Sequence, residues 1–508
     1  MLLAVHAVLS VLYLTALIGL CCYGVNAFVM VALHWWHRRG AQAQSPPDPP
    51  AVWPMVTVQL PLYNERYVTR RLLKAISALD YPVERLEVQV LDDSTDETTA
   101  LLAKPIERLQ AQGRHVAHLR REARTGFKAG ALAAGLRQAR GEFIAVFDAD
   151  FVPPPDFLRQ TIPFFSDPRV ASVQTRWGHL NRDYSFLTIL QALVLDGHFA
   201  VEQPARCWGG LFLHFNGTAG VWRATAIHDA GGWAYDTLTE DLDLSYRAQL
   251  CGWRILYRPE LVCPAELPVL ITGVKAQQCR WAKGCIQTAI KLLPAILRAP
   301  LPGWVKYQAC LHLTGYLISP LMLIVVLLSG PLVIFPGIAP PTAVLGGMGV
   351  VLGLAGFGPG SMLVYAQQVL AAHGWRRAPW LGGLMVIGVG LSWSITSAIV
   401  STLWTKEQAF ARTPKFGIGS RGGTWQEKAY VDRRPVGGAV EIGLGLYSAG
   451  MTWLVWEQGA TGLLPWLLLY TLGFFTVGAM TFLHTSGRGR PNGTCPLEQC
   501  QSGPGDRG

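Results

Sequence analysis

The sequence predicts an α/β domain built on a mostly parallel sheet, inserted between an N-terminal transmembrane helix and a C-terminal helical membrane bundle. Three observations predict it. Half of the 508 residues are apolar and only 15% are charged, well below the charge of a soluble chain of this length. The long apolar runs lie at the two ends, whereas between residues 55 and 299 no run reaches the roughly 18 residues of a span. In that middle stretch β-rich segments alternate with helical ones, the pattern of a parallel sheet covered on both faces.

The elements follow in order. Residues 2 to 33 are almost unbroken apolar sequence ending in His34-Trp35-Trp36-His37-Arg38-Arg39. This is too long for the h-region of a signal peptide, lacks a basic n-region, and closes with an aromatic-then-basic interface anchor. A span is assigned to residues 1–39, N-terminus outside, with a Pro- and Gln-containing linker over 40–54. The α/β domain occupies 55–273. Its strands are Met55 to Leu60, Leu86 to Leu91, Phe143 to Phe147 and Val170 to Gln174, and its helices lie near Arg66 to Leu79, Phe127 to Ala139 and Asp241 to Cys251. Ligands of such sheets sit at the carboxyl ends of the strands.

Residues 274–305 read as amphipathic helices at the membrane boundary, and 306–486 as the bundle, with apolar stretches at 308–336, 341–371, 381–404, 437–456 and 462–484. Three crossings from a cytoplasmic domain would leave the loop 405–436 outside, yet it carries Lys406, Arg412, Lys415, Arg421 and Lys428, and such loops are cytoplasmic. The Gly- and Ser-containing stretch 381–404 is therefore expected to lie in the interface or re-enter. The Gly- and Pro-rich tail 487–508 is expected to be disordered.

Composition removes several classes. The ten cysteines include no paired C-x-x-C set, so neither a zinc site nor a disulfide framework is indicated. The net charge of +10 fits cytoplasmic loops and anionic substrates. No basic stripe with interleaved aromatics in the middle domain calls for nucleic acid.

Polar residues collect just after the strands. The first strand runs into Tyr63-Asn64-Glu65 and the second into Asp92-Asp93-Ser94-Thr95-Asp96, where acceptor oxygens bind a nucleotide's base and ribose or, equally, make turns and helix caps. The strand Phe143 to Phe147 runs into Asp148-Ala149-Asp150. Period-2 alternation aims both carboxylates to one side, and a hard divalent cation relieves their repulsion while holding a diphosphate. Thr239-Glu240-Asp241 opens a helix, with Thr239 or Glu240 as cap and Asp241 as either a dipole partner or a general base. Gln277, Arg280 and Trp281 share a helix face by i, i+3, i+4 spacing. There Arg280 suits a diphosphate and Trp281 a sugar ring, or both serve as interface anchors.

As an ordered set, Asp92/Asp93, Asp148-Ala149-Asp150, Thr239-Glu240-Asp241 and Gln277-x-x-Arg280-Trp281 resemble the D, DxD, TED, QxxRW series of the membrane-bound processive synthases in glycosyltransferase family 2. The likeness covers roughly Val56 to Lys283. Val58-Gln59-Leu60-Pro61-Leu62-Tyr63-Asn64-Glu65, Gly126-Phe127-Lys128-Ala129-Gly130, Phe215-Asn216-Gly217-Thr218-Ala219-Gly220 and Gly231-Gly232-Trp233 are similar to the plant cellulose synthase-like A and C branches, the mannan and glucan backbone synthases.

The resemblance implies a GT-A-type, Rossmann-like fold, with Glu65, Asp92 and Asp93 at the nucleoside and Lys128 at the diphosphate. It implies that Asp148 and Asp150 bind nucleotide and Mg2+ or Mn2+. Asp241 is implied as catalytic base, grouped with Thr239 and Glu240. Gln277, Arg280 and Trp281 shape the acceptor and diphosphate site, and Phe215, Asn216, Gly217 and Thr218 face the acceptor's terminal sugar. Phe410-Ala411-Arg412-Thr413-Pro414-Lys415 resembles the F-x-V-T-x-K gating loop of bacterial cellulose synthases, with Arg412 in place of valine.

The expected protein is thus an integral membrane enzyme, in a bacterial inner membrane with its catalytic domain cytoplasmic, embedded among membrane lipids. It would extend a β-glucan or β-mannan from UDP-glucose or GDP-mannose onto a growing polysaccharide acceptor. A second reading, transfer of one sugar to a lipid such as ceramide, shares much of the motif series. A third, a channel or transporter, predicts ionisable residues within the spans, and 308–336 and 341–371 contain almost none beyond His312.

Overall fold

In the computed structural model the described residues are 2–42, 46–334, 342–402, 404, 412–419, 423–426, 428, 430, 436–459 and 461–485. The expected disordered tail, together with Phe410, Lys406, Arg421 and most of the remaining basic loop, lies outside them.

The middle of the chain forms one seven-stranded sheet of β1 (Val56–Leu62), β2 (Leu86–Asp92), β3 (His115–Leu119), β4 (Phe143–Val146), β5 (Val170–His179), β6 (Gly220–Arg223) and β7 (Arg254–Ala265), in the order β3-β2-β1-β4-β6-β5-β7. The four strands β1 to β4 pair in parallel, so their carboxyl ends share one edge. β6 runs antiparallel between β4 and β5, making the sheet mixed. All four predicted strands are present within a few residues. β3, β6 and β7 were not predicted. β3 is a half-exposed edge strand with two histidines, β6 has only four residues, and β7 carries Pro259 and Pro264 and pairs with β5 through register shifts.

Central strands of a parallel sheet are buried on both faces, and β1 is the example: all its residues but Pro61 are buried, the polar Thr57 and Gln59 included. Proline lacks an N–H and is tolerated only where no ladder needs one. Pairing of β1 with β4 ends at Gln59, so Pro61 lies beyond that ladder while still in register with Leu91 of β2. The buried polar groups of β1 and β2 satisfy each other: the Thr57 hydroxyl donates to Glu87 at 2.6 Å and Gln59 to Gln89 at 3.0 Å. Apolar clusters fill both faces, one around Phe147, Phe157 and Val58, the other around Trp222, Leu132 and Phe215.

Between sheet and bundle runs a long interface helix, Ile271–Arg298, followed past Pro302 by Gly303–Leu313. The flanking apolar stretches are helices: Leu2–Gln42 at the start, then Ile318–Ile334, Thr342–Leu370, the pair Trp380–Gly390 and Ser392–Thr402, Gly438–Glu457 and Leu464–Thr485. Among the described residues, windows at Ala4–Gly40, Gly315–Leu332, Trp380–Thr402 and Leu464–Thr485 are long and apolar enough to cross a membrane. That includes the stretch expected to lie in the interface or re-enter. Its Gly and Ser residues break it at Leu391 without shortening the apolar run below a span.

The N-terminal helix packs along Thr342–Leu370 at very close range. A Cβ at Gly358 would fall 2.0 Å from the carbonyl oxygen of Gly24, so backbone touches backbone there. Gly358→Val is expected to cost about 1–3 kcal/mol by overpacking, read as a lower Tm and a smaller monodisperse fraction of detergent-solubilised protein.

Candidate active site

Because β2, β1 and β4 are parallel neighbours, the loops leaving them meet at one sheet edge. The turn after β1 puts Asn64 at φ 56°, and its side-chain oxygen accepts the Thr95 N–H at 2.8 Å, tying the first loop to the second. A cleft with about 1290 Å³ of space not filled by protein atoms opens there, bounded by these loops, the start of the helix Glu240–Leu250 and one face of the interface helix.

Acids reach this cleft from every side, and each of several is met by a cation of the chain. Lys128, in the first turn of the helix Phe127–Leu136, places Nζ 2.6 Å from Asp148 Oδ1, 3.8 Å from Glu240 and 2.9 Å from the carbonyl oxygen of Gly217. Burial opposes the ammonium, but Asp148 and Glu240 outweigh it and hold Lys128 above its ordinary pKa. Arg121 Nε donates to Asp93 at 3.0 Å, and Nη2 closes a second bond to the same carboxylate. The Arg124 guanidinium lies 3.3 Å from the centroid of the Tyr63 ring. Burial lowers Arg280, which faces Glu240, Asp148 and Asp241.

Asp241 differs from its neighbours. Its Oδ1 accepts the Leu242 N–H at 2.8 Å. A Cβ at Gly217 would lie 2.8 Å from Oδ2, so the second oxygen faces the glycine turn. Burial, then the nearby Glu240 carboxylate, push Asp241 up to about 7, with Lys128 opposing. A group poised near neutrality is suited to taking a proton. The interface helix closes the cleft against this turn: a Cβ at Gly284 would lie 2.5 Å from Thr239 Cγ2 and 2.7 Å from its backbone nitrogen. Thr239 stands at the N-cap position but does not cap; its hydroxyl pairs with Thr288 of the interface helix at 3.3 Å.

Glu65, Asp93, Lys128, Asp148, Asp150, Thr239, Glu240, Asp241, Gln277, Arg280 and Trp281 all line this one cleft, as do Asn216 and Gly217. Three expected site residues do not. Asp92 is fully buried, its carboxylate accepting from the Ser94 N–H at 2.9 Å and the Thr99 hydroxyl at 2.7 Å, with His118 Nε2 3.0 Å away. Burial raises its pKa, but those hydrogen bonds prevail and hold it down at about 2. It locks β2 to β3 and leaves Asp93 alone of the pair to line the cleft. Phe215 is fully buried edge-on to Trp222. Thr218 is also buried, its hydroxyl accepting the Asp148 N–H at 2.8 Å, so it sets the D-x-D turn from behind. Asn216 reaches the cleft wall with a committed amide: Oδ1 accepts from Gln203 at 2.7 Å, and Nδ2 lies 2.7 Å from His214 and 3.1 Å from His198.

The structure brings to the cleft a strap that begins within the segment resembling a gating loop, with contacts the sequence did not indicate. In residues 412–419, Arg412 pairs with Glu65 through two bonds of 3.1 and 3.2 Å, and Lys415 Nζ lies 2.8 Å from Asp150. Glu266 anchors the strap, accepting the N–H groups of Phe416 at 2.7 Å and Ile418 at 3.0 Å. Arg412, Thr413 and Lys415 line the cleft. Glu266 is a lone acid in the apolar run Val262 to Val269, the one sequence signal that marks it. Among the described residues no group of three or more His, Cys, Asp or Glu is placed to hold a metal ion; Asp148 and Asp150 are a two-carboxylate set.

Residues 54–284 match the family model described as glycosyltransferase like family 2. The chain is 43% identical over 251 residues to glucomannan 4-beta-mannosyltransferase 2 of Arabidopsis thaliana, covering 48% of this chain and 47% of that protein. It is 42% identical over 253 residues to glucomannan 4-beta-mannosyltransferase 1 of Oryza sativa subsp. japonica, covering 49% of each. The chain thus spans about half the length of these relatives. A solved mannosyltransferase of Pyrobaculum calidifontis, in complex with GDP-Man and Mn2+, shares the fold at a TM-score of 0.51 and 23% identity, over 80% of this chain and 100% of that one.

Gly217 has φ 80°, a conformation costing an L-residue roughly 1–2 kcal/mol, and its missing side chain is the gap into which Asp241 points. Gly217→Ala is expected to lower turnover by about 100-fold, measured as sugar transfer per folded protein, with the Tm changed by only a few degrees.

Proposed function

We propose that this chain, whose residues 54–284 match the glycosyltransferase like family 2 model and resemble plant glucomannan mannosyltransferases, is a cellulose synthase-like, membrane-embedded inverting hexosyltransferase that extends a β-linked mannan or glucan from a nucleotide sugar and passes it across the membrane. The observation that carries the reading is the meeting of Asp241, Lys128, Asp148 and Arg280 in one cleft beside a long apolar bundle. The plant relatives' names favour mannose, hence GDP-mannose, over UDP-glucose as donor.

In this reading the nucleoside lies toward Asp93, Tyr63 and Arg124, and the diphosphate toward Lys128 and Arg280, both already turned into the cleft. Asp148 and Asp150 fit a Mg2+ or Mn2+ ion that arrives with the diphosphate, because two carboxylates leave the remaining oxygen sites of a hard cation to phosphate and water. When bound, such an ion supplies charge stabilisation for the leaving diphosphate. Asp241 Oδ2 accepts the proton of the acceptor hydroxyl as that oxygen attacks the anomeric carbon from the face opposite the diphosphate, inverting an α-linked donor to a β-linked product. Trp281 and Gln277 receive the acceptor's terminal sugar, while the Gly217 turn, held by Asn216, keeps the approach to Asp241 open.

Purified protein incubated with Mg2+ or Mn2+ and a panel of nucleotide sugars is expected to give a polymer sensitive to β-mannanase from GDP-mannose. A product with a single sugar on lipid would replace this reading with lipid glycosylation. The pKa of Asp241 is raised to about 7, so the base is protonated below that pH. The kcat/KM is expected to rise with pH through a midpoint near 7, and Asp241→Asn to abolish transfer while nucleotide binding, followed by calorimetry, persists.

A further inference from the structure

The interface helix Ile271–Arg298 has two working faces. Gln277, Arg280, Trp281 and Gly284 turn toward the cleft. Val274, Ala282 and Ile286 pack into an apolar cluster with Leu391, Ile395 and Val477 of the bundle. On that second face stands one charged residue. Lys275 Nζ is 2.7 Å from the Glu441 carboxylate and 2.7 Å from the Thr481 hydroxyl, and Glu441 also accepts the Ser394 hydroxyl at 2.9 Å. Glu441 is fully buried and Lys275 nearly so. The helices Gly438–Glu457 and Leu464–Thr485 thus meet the ammonium directly, and Ser392–Thr402 holds the Glu441 carboxylate that pairs with it. Cys279, one turn on, donates its thiol to the Ser394 carbonyl at 3.3 Å.

A buried ion pair is a poor device for stability alone, because an apolar pair of similar volume often does as well or better. What the pair provides is directional: it is satisfied only at one rotation and height of the interface helix. Lys275 lies five residues from Arg280 and six from Trp281 on a rigid helix, so that rotation sets both side chains against Asp241.

We propose that Lys275 and Glu441 form a positioning pair that couples sugar transfer to the packing of the bundle, by fixing the helix that carries Arg280 and Trp281 to the helices past which a product would leave. The proposal rests on the polymerase reading for the nature of that product. The residues act through Arg280 and Trp281 and touch no substrate.

The test uses the full chain in lipid nanodiscs, with Lys275→Met and Glu441→Leu combined and, separately, the charge exchange Lys275→Glu with Glu441→Lys. Each is compared with wild type for Tm, donor KM, kcat, product length and hydrolysis of donor by water. The apolar double variant is expected to keep the wild-type Tm, to turn over roughly ten- to hundredfold more slowly with a raised donor KM as Arg280 and Trp281 shift, to make shorter chains and to waste more donor on water. The charge exchange is expected to recover part of the rate and length. Wild-type turnover and length in the apolar variant would overturn the proposal. A rate loss that disappears on normalising to folded protein would overturn it as well. Wild-type protein that makes no polymer counts against the polymerase reading alone; the pair is then judged by the ratio of variant to wild-type transfer onto whichever acceptor the wild type uses.

Discussion

The molecule depends on a concentration of negative charge at one sheet edge that it must neutralise from within. Parallel pairing of β2, β1 and β4 delivers Asp93, Glu65, Asp148 and Asp150 to the same cleft, and the helix Glu240–Leu250 brings Glu240 and Asp241 against them. Like charges at such separations cannot all remain ionised in a desolvated site unless cations stand among them. The chain supplies these from segments far apart in sequence: Arg121 for Asp93, Lys128 for Asp148, Lys415 for Asp150 and Arg412 for Glu65. Among the described residues no cation pairs as closely with Asp241, and burial, then the Glu240 carboxylate, raise its pKa.

The same compensation explains why the strap crosses the cleft. Its cations meet carboxylates at the mouth, but its place is fixed by Glu266, which accepts two strap N–H groups and faces Arg71 at 3.1 Å, while Phe416 and Ile418 bury against Val269 and Leu270. Each anchor satisfies backbone groups that burial would otherwise leave unpaired. Even so Glu65, despite a bidentate guanidinium, is pushed by burial up to about 7. Desolvation outweighs pairing there, and the contact weakens as the carboxyl takes up its proton below that pH.

Legibility from sequence followed the range of the interactions. Strand β4 with its unbroken apolar run, β1 and β2 with apolar residues at alternate positions, and the acids that leave them were readable because pattern and position are local. Four-residue β6 and proline-bearing β7 depend on neighbours far along the chain and carry little local signal. At the site, Asp92 and Asp93 are adjacent in sequence yet diverge in role, because alternation sends one into the β2–β3 seam and the other into the cleft. Phe215 and Thr218 belong to a motif whose ends pack inward while Gly217, at its centre, faces Asp241. Glu266 and Arg412 bear on the cleft only through a fold that brings residues about 150 and 350 positions apart together.

That distribution sets where the chain tolerates change. Acids serving structure alone, such as Asp92, are saturated with donors and held low in pKa, so their charge favours the folded state above the unfolded carboxyl's range and that contribution fades as pH falls toward 2. Asp241, the proposed base, accepts the Leu242 N–H at Oδ1, and burial raises its pKa, working against folding at neutral pH. Two glycines permit the arrangement: a Cβ at Gly217 would meet Asp241 Oδ2 at 2.8 Å, and one at Gly284 would meet Thr239, two residues before Asp241, at 2.5 Å. For the proposed reaction, the most sensitive positions of such a site are the glycines that permit the close approach as much as the acids themselves.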